Sequence, residues 1–225
     1  MIEQRLEGLK TVYRLFADFS AEHALACEPG CDPCCTTHVT LTTLEGLLLV
    51  EQLTPDQWSR LDDAASAGPC PAVSINQLAS LCLAGQDPPA ETAAAAPLGR
   101  CALLTDHRCP LYTLRPFACR CMVSRVTCRE GGCAEMPPLL LSASEVCMQV
   151  IEHLDAAGCS GNLVDVLHCL REAENRRRYR QGRLACREHR LVPNRPMPTL
   201  MIPPDQRRSL APLVQQLSAV MAAAG

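Results

Sequence analysis

The chain has 225 residues, 48% hydrophobic and only 3% aromatic, so it can bury a sizeable core of Leu, Val and Ala with few large anchors. Its formal net charge of −3 gives no case for general nucleic-acid binding. Its 16 cysteines are far above ordinary usage and need a chemical explanation.

The first seven residues are charged and lack the apolar stretch of a secretory signal. No apolar run approaches the roughly 20 residues that a membrane helix needs. A cytoplasmic protein is therefore expected, with no membrane partner. Thiols stay reduced there, so many cysteines point to metal or redox chemistry more than to structural disulfides.

In chain order, Ile2, Leu6, Leu9, Tyr13 and Phe16 repeat at helical spacing and predict an amphipathic helix over residues 1–26. It should deliver Cys27 into the stretch Cys27-Glu28-Pro29-Gly30-Cys31-Asp32-Pro33-Cys34-Cys35. The spacing of these four cysteines fits one helix face. Pro29, Gly30 and Pro33 oppose that reading, since a proline inside a helix costs roughly 3 kcal/mol. The stretch reads instead as a looped turn folding four thiols around a point, as soft-metal ligands require.

Thr42-Thr43-Leu44-Glu45 is a capping box that should open a helix over 43–53. Thr54-Pro55-Asp56-Gln57 repeats the signal, with proline at the first helical position, for a helix to about Ala67. Ser74 and Gln77 predict a third helix ending near Gly85. Cys70 and Cys82 have no close cysteine neighbour and read as small hydrophobes. Residues 86–99 are a Pro/Ala-rich connector, expected to be a mobile surface loop.

A second cysteine block follows with Cys101, Cys109, Cys119 and Cys121. Short extended segments are expected at Ala102–Leu104 and Leu111–Tyr112, joined by a turn, with a short helix from Pro116. Ser142-Ala143-Ser144-Glu145 is another capping box, for a helix stopped by Gly158. Asn162 should cap a long helix continuing through Arg176–Arg180. Cys147, Cys159 and Cys169 read as packing thiols. Residues 171–190 carry eight Arg against three Glu: a solvated helix face, or a docking surface for an acidic partner. Five prolines between Pro193 and Pro204 then make an extended strap. Ser209 should cap a last helix over 210–221, docking on the core or on a second subunit.

One Zn²⁺ needs four ligands, as a single iron–sulfur cluster usually does. The two blocks together offer at least seven thiols. Cys27-x3-Cys31-x2-Cys34-Cys35, then Cys101, then Cys109-Pro-Leu-Tyr and Arg115-Pro-Phe-x-Cys119-Arg120, resembles the YkgJ-type cysteine-cluster (CxxCxxCC) family over residues 27–133. That family is described as zinc- or iron-chelating, and a flagellin lysine methylase carries a similar module. The resemblance implies a metal-binding bacterial cytosolic protein, often with an iron–sulfur cluster. It carries over Cys27, Cys31, Cys34, Cys35, Cys101, Cys109 and Cys119 as ligands. Arg115 and Arg120 match the family's arginines, which could offset thiolate charge or hold an anionic ligand; structural pairing with Asp106 is their plain alternative. Cys121, Cys128 and Cys133 are left undecided. Cys27, Cys31 and Cys34 also resemble the radical-SAM triad, but no alternating strand–helix pattern follows.

His38 and His107 are alternative nitrogen ligands, and Tyr112 a rim residue. The expected architecture is mainly α: an irregular helical domain over 1–192 with a cysteine-rich metal-binding core and short extended segments. The 193–225 strap and helix follow it. The expected function is a metal-binding cysteine-cluster protein with an iron–sulfur centre in a redox or enzyme-associated role, facing an electron-transfer or protein partner. The alternative is a zinc-stabilised interaction module using the Arg-rich helix.

Overall fold

A computed structural model describes residues 2–64, 68, 70–89, 99–128 and 133–224. Most of the 86–99 connector lies outside the described residues. The fold is mainly α. Helices α1 (Ile2–Ala21), α2 (Thr43–Val50), α3 (Pro55–Asp63), α4 (Ile75–Leu83), α5 (Phe117–Arg120), α6 (Pro138–Leu154), α7 (Leu163–Arg171), α8 (Ala173–Arg180) and α9 (Arg207–Ala224) surround one small sheet. That sheet, β1 (Thr40–Thr42), β2 (Cys159–Asn162) and β3 (Val192–Pro193), is antiparallel throughout with order β1-β2-β3.

Two hydrophobic clusters form the interior. The first joins α1, α6 and α9 through Leu9, Phe16, Val150 and Leu217, with Phe117 edge-on to Phe16 at 5.0 Å between ring centres. Burying each such side chain contributes about 1.5–3 kcal/mol. The C-terminal helix therefore docks on the core. It starts two residues before the expected cap, continuing a 3₁₀ turn at Pro204–Gln206, and Pro212 lies inside it. The second cluster joins α2 and α7 and reaches Leu103 and Leu111 in the second cysteine block. Gly46 allows the close approach of α2 and α7, since a Cβ there would sit 2.7 Å from Leu170 and 2.8 Å from Val166.

The caps at Thr42, Thr54 and Ser74 form as expected, each accepting the backbone N–H three residues on. The Ser142 box does not. Helix α6 already starts at Pro138, whose fixed φ suits a first turn, and this buries Leu140 completely. Ser144 instead donates to the Leu140 carbonyl at 2.7 Å. Helix α1 ends at Ala21, short of the expected 26.

The expected long helix after Asn162 is broken at Glu172, whose backbone is extended. Side chains from α8 satisfy the carbonyls that the break frees. Asn175 donates to Cys169 O at 2.9 Å, and Arg176 to Leu170 O at 2.6 Å and Arg171 O at 2.7 Å. Cys159 is not a packing thiol: it forms a disulfide with Cys186, pinning β2 to the 3₁₀ turn at Cys186–His189. Cys147 and Cys169 are buried as expected, whereas Cys70 and Cys82 are exposed and do not act as core residues. No helix among the described residues is long and apolar enough to cross a membrane.

Candidate metal centre

The first cysteine stretch is irregular, as Pro29 and Pro33 require. It is a succession of tight turns: Cys31 N–H donates to Glu28 O at 3.0 Å, and Cys35 N–H to Asp32 O at 2.9 Å. Gly30 takes φ +94, a conformation that favours glycine.

Two backbone ties clamp this loop. At its start, Ala26 N–H donates to Ser124 O at 2.8 Å. At its end, Cys101 N–H donates to Cys35 O at 3.0 Å, and Thr37 N–H to Gly99 O at 2.9 Å. Asp32 adds a side-chain tie, accepting from Arg100 and lying 3.0 Å from His107 Nδ1. Asp32 and Ser124 were not singled out in the sequence. An acid between two cysteines was the available signal for Asp32, and none existed for Ser124.

The second block is not built of extended segments. Asp106 and His107 both take positive φ in a two-residue turn closed by reciprocal Thr105–Arg108 bonds at 3.0 and 2.8 Å, and further turns follow at Tyr112 and Leu114. Buried Glu45 anchors the end of this block. It caps α2 through Thr42 and also accepts from Tyr13 Oη at 2.8 Å and Phe117 N at 2.7 Å. It thus fixes α1, α2 and the start of α5, which carries Cys119. The capping box flagged Glu45 locally, while its long-range role lay beyond the motif.

The result is a cavity of about 390 Å³. Its walls carry Cys27, Cys31, Cys34, Cys35, Cys101, Cys109 and Cys119, together with Cys121 and Cys128. His38, His107, Tyr112 and Arg115 also line it, and Leu103, Leu111, Met122 and Met148 supply apolar walls. Cys133 is exposed and is not part of the wall. The thiols stand around the cavity instead of meeting at one point. Among the described residues no three His, Cys, Asp or Glu side chains already form a ligand set for a metal ion.

Burial pushes most of these thiols up. Cys27, Cys31, Cys101, Cys109 and Cys119 all lie above the ordinary thiol value, chiefly through desolvation. Backbone amides oppose this at four of them: Ser124 at Cys27, Cys128 at Cys31, Leu103 and Leu104 at Cys101, and Leu111 at Cys109. Cys34 is held down to about 6, first by the hydrogen bond with Cys35, then by its own backbone amide and by Arg115, against the opposing effect of burial, while Cys35 is pushed far up by the same bond. Cys121, inside the first hydrophobic cluster, is pushed up to about 12 by burial.

The two arginines part ways. Arg115 lines the cavity and stacks 4.0 Å over Tyr112, with its Nε buried and lacking a hydrogen-bond partner among the described residues. Arg120 is not part of the wall; it donates to Arg115 O at 2.8 Å and Thr113 O at 2.5 Å and stacks over Tyr13 at 4.3 Å. Neither is paired with Asp106.

The donor set fits a thiophilic metal. The sulfurs are soft, several have amides turned toward them, and the half-buried Arg115 stands beside them to offset negative charge. No family model, curated protein or solved structure matches the chain.

Proposed function

We propose that the chain is a metal-binding cysteine-cluster protein whose cavity takes an iron–sulfur centre in a redox or enzyme-associated role, as the resemblance to the YkgJ-type family implies. The observation that carries this reading is the gathering of thiols from both sides of the 86–99 connector at one cavity. Metal bound there closes a long chain loop and couples binding to folding. Cys27, Cys31, Cys34, Cys35, Cys101, Cys109 and Cys119 supply the ligands. Arg115 balances their charge, and its Nε, without a hydrogen-bond partner among the described residues, could also receive an anionic ligand. An iron–sulfur centre supplies electron transfer, with its potential tuned by amide hydrogen bonds and burial.

A cytoplasmic setting belongs to the same proposal. In that reducing environment Cys159 and Cys186 would exist as two thiols. The alternative, a zinc-stabilised interaction module, uses the same donors. Its contact surface is already partly engaged within the chain: Arg171 pairs with Asp62, Arg178 pairs with Glu174, and Arg176 caps α7.

The visible spectrum of protein purified without oxygen separates the two. An iron–sulfur centre gives brown protein that bleaches on reduction. Colourless protein that contains zinc favours the interaction module.

A further inference from the structure

The cavity is larger than a metal ion needs, and most of its wall beyond the thiols is apolar. Its volume of about 390 Å³ is that of a small-molecule pocket, which runs from roughly 300 to 1,000 Å³. It lies where the two hydrophobic clusters meet: Met148 packs against the first, and Leu49 and Leu163 belong to the second. Helix α6 gives it one continuous face. Leu141, Ser144 and Met148 are spaced at i, i+3 and i+7 and so share a side of that helix. Ser144 adds little polarity there, because its hydroxyl is spent on the Leu140 carbonyl at 2.7 Å.

Exposed apolar side chains mark the same place. Met122 is 44% exposed and Leu141 49%, and both line the cavity; Val126, 37% exposed, follows in the Met122 segment. Among the described residues the other large hydrophobic side chain this exposed is Leu83, on α4. Apolar surface left open beside a concave pocket is a mark of ligand binding.

One cation stands in this setting. Arg115 is the only arginine or lysine at the wall among the described residues. It is held in place without a ligand: its guanidinium stacks 4.0 Å over Tyr112, and Arg120 donates to its carbonyl at 2.8 Å. Its Nε is buried without a hydrogen-bond partner among the described residues, although Glu28 also lines the cavity. A buried donor left unmade costs stability, and the planar fork of a guanidinium matches a carboxylate through two parallel bonds. A single cation calls for a single negative charge.

We propose that the cavity takes a small organic monocarboxylate with an apolar body, its carboxylate on Arg115 and its body along Leu141, Met148 and Met122. This rests on the reading above, in which Arg115 receives an anion, and it names the class of that anion. It does not require the metal.

The test is calorimetric titration of the full chain, purified without oxygen, with octanoate and with octan-1-ol, and with metal assayed on the same sample. Octanoate should bind with a dissociation constant of about 1 mM or tighter. Octan-1-ol, which lacks the charge, should bind about tenfold or more weakly. From butanoate to octanoate the affinity should rise about fourfold per methylene. Methyl NMR of the methionines places the site without a variant: the Met122 and Met148 signals should shift on octanoate addition, and that of Met221, on α9, should not. Arg115→Gln should lower octanoate affinity about tenfold or more and leave octan-1-ol affinity unchanged. Absence of octanoate binding overturns the proposal, as do equal binding of octanoate and octan-1-ol, shifts at Met221 without shifts at Met148, and unaltered octanoate affinity in a folded Arg115→Gln. Metal present without octanoate binding counts against this proposal alone, and octanoate binding without metal counts against the metal-binding reading alone.

Discussion

The polar interior around α6 and the thiol cavity are both built from buried ionisable groups, and they differ in how those groups are satisfied. Asp155 is wholly buried and accepts from Thr43 Oγ1 at 2.7 Å, Leu44 N at 3.0 Å, Tyr179 Oη at 2.5 Å and Asn194 Nδ2 at 3.1 Å. Glu152 likewise accepts from Ser74 at 2.6 Å, Asn76 N at 2.8 Å and Arg195 N at 2.6 Å. These carboxylates bind α2, α4, α6, α8 and the strap into one body with chain-derived partners. The thiols have turns, a few amides and one partly unpaired arginine. A polar interior completed by the chain specifies a fold, whereas an interior left for soft ligands to complete specifies a site.

Metal removal should separate the regions most strongly. Chelation is expected to cost about 5 kcal/mol or more, a fall of about 10–20 °C in Tm. Hydrogen exchange should rise in residues 26–37 and 99–128 ahead of α1, α6 and α9. An unchanged melting curve would remove the structural role of the metal.

On the polar side, Asp155→Ala leaves four donors unpaired and should cost about 4 kcal/mol in denaturant unfolding. Asp155→Asn should cost far less, since its amide group can donate to the Tyr179 oxygen while its carbonyl keeps the other bonds.

The pH profile sharpens the contrast. Burial raises the Asp155 carboxyl to about 7, and Glu152 moves in the same direction for the same reason. A carboxyl raised in the folded state binds more protons there than in the unfolded chain. Its stabilisation is complete below about pH 4 and is lost as pH rises through about 7, by roughly 4 kcal/mol for Asp155. Urea unfolding across that window should show the decline, and Asp155→Asn should flatten it.

Reducing Cys159–Cys186, whose residues are 27 apart in sequence, should cost about 3 kcal/mol by freeing the unfolded chain. It should leave the metal content unchanged. The smallest effect belongs to Arg177→Glu with Arg178→Glu. Their partner is the half-exposed Glu174, so stability should shift by only about 0.5 kcal/mol and the cavity should keep its metal. Loss of partner capture by this variant, with metal retained, would favour the interaction module.

Local signals made much of the helical frame legible. The boxes at Thr42 and Thr54 and the cap at Ser74 are used because nothing upstream competes for the first turn. The Ser142 box misled because Pro138 starts the helix earlier and buries Leu140. The break at Glu172 was hidden because Asn175 and Arg176 repair it from beyond the break. The sheet was hidden because Cys159-Ser160-Gly161-Asn162 has no alternating apolar pattern and is held by its partners.

At the site, the order and spacing of the cysteines pointed to one cluster, and the structure lines a cavity with those cysteines without bringing them to one point. The return of the 122–128 segment beside Ala26 was not legible, being a tertiary contact without a local signature. The same return decides which of the late cysteines stands at the wall: Cys128 does and Cys133 does not.

The most direct measurement is iron, zinc and acid-labile sulfide per chain on protein purified without oxygen. The account predicts iron with matching sulfide, and the loss of both when Cys34 and Cys35 are replaced together by serine. Metal-free protein with its cavity cysteines paired as disulfides would contradict it.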